Sequence, residues 1–86
     1  MRNKHLQRLF GITIEEYELI LKNQNDVCAI CGGVNKNNRT LAVDHNHITG
    51  KVRGLLCNRC NPAVGFLLED ILLAEKIISY IKKWEK

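Results

Sequence analysis

The sequence predicts a small α+β fold: a short β-hairpin flanked by an N-terminal helix and a C-terminal amphipathic helix, stapled by a bound metal. Three observations carry that prediction. Apolar residues recur at helical spacing near both ends, two segments in the middle have strand character, and two C-x2-C pairs bracket those segments. At 86 residues the chain is read as one domain spanning 1–86. So short a chain buries a modest core and commonly needs a metal or disulfide staple.

The elements follow in order. Leu6, Leu9 and Phe10 suggest a short turn or helix closed by Gly11. "ITIEEYELILKNQND" then reads as a helix, with Thr13 and Glu16 forming a capping box and Glu15 and Glu16 complementing its positive end. Ile14, Tyr17, Ile20 and Leu21 make its apolar face, and Asn23 to Asp26 mark its end. "GGVNKNNRT" is a Gly- and Asn-rich loop expected to be exposed. "TLAVDH" and "KVRGLLC" pair as a hairpin around "NHITG", with Gly50 and Gly54 expected to let the connection turn back. Asn61 is placed to cap a helix opened by Pro62. "EDILLAEKIISYIKKWEK" closes the chain as an amphipathic helix with Ile71, Ala74, Ile77, Ile78, Ile81 and Trp84 on one face. Core packing is the expected use of that face.

Cys28-x2-Cys31 and Cys57-x2-Cys60 form two knuckles, and two such pairs complete a tetrahedral S4 site. Zinc is the expected ion. All four positions are filled by sulfur, so it serves as a staple with no place for substrate. A redox C-x2-C belongs in a βαβ setting that is missing here. No apolar run approaches a membrane span, and the N-terminus has no apolar stretch typical of a secretion signal. A cytoplasmic location is therefore expected.

Between the knuckles lie Asp44, His45 and His47, and Asn61 follows the last cysteine. In an extended segment His45 and His47 share a face, with Asp44 opposite unless the strand ends there. Asp and Asn offer hard oxygen donors that suit Mg2+ or Mn2+ and not a thiolate zinc site. An imidazole with an ordinary pKa near ~6.5 is a credible general base beside such an ion. Taken singly, these residues would be surface, turn and cap formers. Their grouping between two knuckles argues for a second, chemical site.

The formal charge is +4. The excess sits at Arg2, Lys4 and Arg8 and around Lys36, Arg39, Lys51, Arg53 and Arg59, while acids prevail in the first helix. A localised basic patch suits a polyanion such as nucleic acid.

"GITIEEYELIL", "CAICG" and "LAVDHNHITGKVRGLLCNRCN" resemble the recombination endonuclease VII branch of the HNH, or ββα-metal, nucleases, from about Gly11 to Leu68. The resemblance implies a zinc-stapled ββα-metal domain that cuts DNA. It implies a catalytic divalent cation on Asp44 and Asn61, His45 as the base that activates water, and His47 as a second active-site histidine. It also implies that the four cysteines hold structural zinc and that the cut ends carry 5′-phosphate and 3′-hydroxyl. Lys51, Arg53 and Arg59 are the expected phosphate contacts, extended by the basic N-terminus. The signature ends in Asn where other branches have His, which bears on metal preference. Phage members continue into a junction-binding domain whereas this sequence ends at Lys86, so nicking or double-strand cleavage is expected before junction resolution. Cutting both strands would need a homodimer or two events. The rival from another class is a non-catalytic zinc-ribbon module that binds nucleic acid. A protein-interaction module built on the last helix is a third reading. Neither gives Asp44, His45, His47 and Asn61 a shared purpose.

Overall fold

A computed structural model describes residues 11–36 and 39–85. The basic tail, the turn around Leu6, Leu9 and Phe10, and the tip of the "GGVNKNNRT" loop lie outside the described residues. Helix α1 spans Ile14–Asn23, strand β1 Ala42–His45 and strand β2 Val52–Leu56. Helix α2 spans Cys60–Leu67 and helix α3 Ile71–Trp84. The result is a small α+β arrangement with one antiparallel two-stranded sheet.

Helix α1 starts where its capping box places it. Thr13 Oγ1 accepts from the Glu16 amide at 3.1 Å, and Glu16 returns the bond to the Thr13 amide at 2.8 Å. Asn25 and Asp26, both at positive φ, turn the chain away after Gln24. Tyr17 is the buried residue of this helix, and its hydroxyl donates to the Leu41 carbonyl at the start of the hairpin.

The Gln24 side chain then does the work of a third strand. Its Oε1 accepts from the Leu55 amide at 2.9 Å, and its Nε2 donates to the Leu55 carbonyl at 3.0 Å and to Val27 at 2.8 Å. The open edge of β2 is thereby satisfied by one amide group and by the Ala29 amide, 3.1 Å from the same carbonyl. Gly54 permits this approach, since a Cβ there would lie 3.0 Å from Gln24 Oε1. Its role is therefore close packing inside β2. The turn belongs to Gly50, at φ 79°.

The core and the cysteine cluster are one body. Leu55 is fully buried among Tyr17, Leu41, Val43, Leu56 and the buried cysteines Cys28, Cys57 and Cys60. The described part of the "GGVNKNNRT" loop is largely exposed, as its composition predicts, but Asn35 is buried and anchors it. Its Nδ2 donates to Thr40 at 2.9 Å and its Oδ1 accepts from the Asn58 amide at 2.7 Å, tying the loop to the second knuckle.

Two expectations for the C-terminal half are corrected. Asn61 is not an N-cap: α2 begins at Cys60, and the residue at the cap is Arg59. The knuckle winds directly into the helix, so Cys57 itself receives the first amides, that of Cys60 on Sγ at 3.4 Å and that of Asn61 on the carbonyl at 2.9 Å. The last helix is also shorter and differently used than its sequence predicts. Leu68 and Glu69 adopt left-handed φ of 49° and 65°, and Asp70 caps α3 through the Leu73 amide at 3.0 Å. No residue of α3 is buried, and Ile71 and Trp84 stand 75% and 66% exposed. A 14-residue helix is ~21 Å long, and α3 projects from the rest. Periodicity specifies an apolar face but not what covers it. No helix among the described residues is long and apolar enough to cross a membrane.

Candidate metal centre and active site

The four cysteine sulfurs converge so that all lie within 4.8 Å of one another, the Cys31–Cys57 pair at 3.7 Å. A tetrahedron with metal–sulfur bonds of ~2.3 Å has edges of ~3.8 Å, so the cage has the size a zinc ion requires. Backbone amides aim at the sulfurs, as a knuckle should: Ile30 at Cys28, Gly33 at Cys31 and Cys60 at Cys57, each at 3.4 Å. Burial pushes the Cys28 thiol up, yet the amides of Cys31, Cys57 and Ile30 and the Cys31 thiol together bring it down to about 6. The amides of Cys60 and Arg59 hold Cys57 below its ordinary value. Burial and then the neighbouring thiols push Cys60 up to about 12. Four thiolates this close repel one another, and a shared cation is what lets all four ionise. The cage suits structural zinc, and it pins both ends of the segment carrying Asp44, His45 and His47.

The hairpin delivers the remaining groups. β1 pairs with β2 in the register Ala42–Leu56, Val43–Leu55 and Asp44–Gly54, and His45 then faces Val52. Arg53 is thus an extra residue, a bulge that re-aims its side chain at the strand opposite. Its Nε and NH2 donate to the two carboxylate oxygens of buried Asp44 at 2.8 and 3.2 Å, and its NH1 to Glu69 at 2.6 Å. The two carboxylates, Asp44 first, raise the already high pKa of Arg53. Arg53, Lys51 and Arg59 are all exposed, and Arg53 differs from the other two in being held by two carboxylates.

His45 and His47 do project together, with ring centroids 5.2 Å apart. Asp44 points into the body of the protein while His45 is exposed at the strand end. Among the described residues, no side chain hydrogen-bonds the His45 ring. His47 is held by Glu69, which accepts from its amide at 3.1 Å and meets its Nδ1 at 3.0 Å. The His47 amide, then its ring, then Arg53 bring the Glu69 carboxyl down to about 2. Sequence reasoning gave Glu69 to the start of the last helix. The adjacent acid pair Glu69-Asp70 was the available signal, since only one of two neighbouring acids can cap.

Asn61, in the first turn of α2, lines a cavity of about 520 Å3 with Asn35, Arg39, Thr40, Ala42, Asn58 and Pro62. Ala42, in this lining, is two residues from Asp44 along strand β1. Arg39 adds to this wall a cation that was not singled out as a contact.

Comparison with known proteins shows the family. The chain belongs to the recombination endonuclease VII family, which it matches over residues 3–83. It is 43% identical over 75 residues to the Gene 59 protein of Mycobacterium phage D29, covering 86% of this chain and 46% of that protein. It is 41% identical over 73 residues to the Gene 59 protein of Mycobacterium phage L5, covering 84% of this chain and 44% of that protein. The chain thus spans less than half the length of these relatives. No solved structure gives a significant match.

Proposed function

We propose that this chain is a metal-dependent DNA endonuclease domain of the HNH, ββα-metal type, hydrolysing phosphodiester bonds. Family membership supports a nuclease-related role. The observation that carries the chemical reading is the pair of histidine rings 5.2 Å apart at the end of a strand whose neighbouring residue is a buried carboxylate. Asp44 and Asn61 would hold Mg2+ or Mn2+. The donor set fits a hard cation: each carboxylate oxygen engaged by Arg53 keeps a further lone pair, and the Asn61 amide adds a neutral oxygen. When bound, such an ion neutralises charge on the phosphate and its leaving 3′-oxygen.

The chain's own residues do the rest. The unencumbered ring of His45 takes the proton of the attacking water. His47, fixed by Glu69, orients groups at the same face. Lys51 and Arg59 contact backbone phosphates. Arg53 stays with Asp44 and Glu69, where it holds both carboxylates in place. The zinc cage fixes the distance between the hairpin and the first turn of α2, and so between Asp44 and Asn61.

The substrate is DNA, met inside a host cell as the phage relatives suggest. Cutting both strands would take two visits or a homodimer. Supercoiled plasmid incubated with the zinc-loaded protein and Mg2+ or Mn2+ tests the reading. Nicked or linear product supports it. Binding with no cut under any divalent ion would favour a zinc-ribbon module.

A further inference from the structure

We infer that Glu69 is a positioning residue that sets the tautomer of His47, making its ring an acceptor for water; the inference rests on the nuclease reading above. Glu69 reaches His47 across 22 residues of sequence and binds it twice, at the backbone amide and at Nδ1. A carboxylate can only accept, so the ring nitrogen facing it carries the proton. Nδ1–H therefore donates to Glu69, and Nε2 keeps its lone pair. An unconstrained neutral imidazole side chain prefers the opposite arrangement. With a lone pair at Nε2, neutral His47 accepts a hydrogen from water. It has no proton there to give a phosphate oxygen. That assigns His47 to orienting the water that His45 deprotonates, 5.2 Å away ring to ring.

The backbone is bent to make this contact. Leu68 and Glu69 are consecutive residues in left-handed conformations, which non-glycine residues seldom adopt. They end α2 and turn the carboxylate back to the hairpin loop. Strain of this kind persists only where surrounding contacts over-determine it. Here Arg53 supplies them: its NH1 and NH2 lie 2.6 and 3.4 Å from the two Glu69 oxygens while its other face holds Asp44. Asp44, Arg53, Glu69 and His47 thus form one chain of charge-assisted hydrogen bonds around the end of β1.

The test reads the ring directly. Two-bond 1H–15N correlation on the zinc-loaded, 15N-labelled protein distinguishes a protonated Nδ1 from a protonated Nε2. Wild type is expected to show His47 protonated at Nδ1. Glu69→Ala is expected to move the proton to Nε2 and slow plasmid nicking about 10-fold or more. Glu69→Gln, which keeps an accepting oxygen, is expected to preserve the tautomer and recover part of the rate. Unchanged zinc content and circular dichroism identify variants that have folded. A His47 ring protonated at Nε2 in wild type overturns the inference, as does a tautomer that Glu69→Ala leaves unchanged. A changed tautomer with an unchanged nicking rate also overturns it. A wild-type protein with the Nδ1–H tautomer that cuts no DNA removes the nuclease reading, while the positional relationship stands.

Discussion

Glu69 and His47 are joined at two atoms, the carboxylate accepting from the backbone amide at 3.1 Å and meeting ring Nδ1 at 3.0 Å. This contact links the turn between the last two helices to the hairpin loop, so the residues after α2 take part in shaping the face that carries His45 and His47. Its electrostatics have a sign. The folded protein holds the Glu69 carboxyl down to about 2 against an ordinary 4.5. A depressed carboxylate stabilises the fold fully above its unfolded value, and that contribution fades as pH falls from about 4.5 towards 2. Wild type should therefore exceed Glu69→Gln in stability by a constant margin above about pH 4.5, shrinking below it. Zinc release in acid is common to both proteins and cancels in the difference. Denaturant midpoints measured against pH provide the check, and a margin that grows on acidification would contradict the assignment.

One zinc per chain is expected, because four sulfurs close the shell. Metal binding at such a cage is worth roughly 10–16 kcal/mol in small domains, far more than the few buried side chains here supply. Chelation should therefore unfold the protein and not merely loosen it. Elemental analysis and far-ultraviolet circular dichroism before and after chelator test this together. Folded protein without zinc would contradict it.

Gly54→Ala places a Cβ 3.0 Å from Gln24 Oε1, the atom that satisfies the Leu55 amide. Overpacking against a fixed partner costs about 1–3 kcal/mol. In a Gln24→Ala background the clash is gone, so the same substitution should cost measurably less. A double-mutant cycle in urea measures the coupling, and strictly additive costs would deny the contact.

Exposure of α3 makes a contrasting prediction. Ile78→Ala and Ile81→Ala should each change the unfolding free energy of dilute protein by within about 0.5 kcal/mol, the usual range for surface positions. A core isoleucine would cost 2–5 kcal/mol. Equilibrium urea unfolding decides, and losses in the core range would place this face against a partner surface.

Much of this arrangement could be read from the chain because its signals are local. The capping box at Thr13 and Glu16, the hairpin around Gly50 and the paired cysteines each depend on spacing alone. His45 and His47 do come together, although His47 lies in the turn beyond the strand and is held there by Glu69. What escaped depends on contacts across long stretches of chain. Gln24 meets Leu55, Asn35 meets Asn58, and Glu69 meets both Arg53 and His47, and nothing in a polar residue's neighbours reveals such a partner. The bulge at Arg53 is likewise invisible to alternation, yet it turns that side chain onto Asp44. The N-cap at Asn61 failed because the knuckle supplies its own capping atoms from Cys57.

The central claim is that Asp44 and His45 do chemistry, and single-turnover nicking of supercoiled plasmid with Mg2+ or Mn2+ tests it most directly. His45→Ala should lose at least ~10^2 in rate, the scale of a missing general base, while binding DNA as wild type does at fixed salt. Asp44→Ala should abolish cutting yet retain zinc and an unchanged circular dichroism spectrum. Wild-type rates in both folded variants would contradict the account, and cleavage that persists without any added divalent ion would remove the second metal from it.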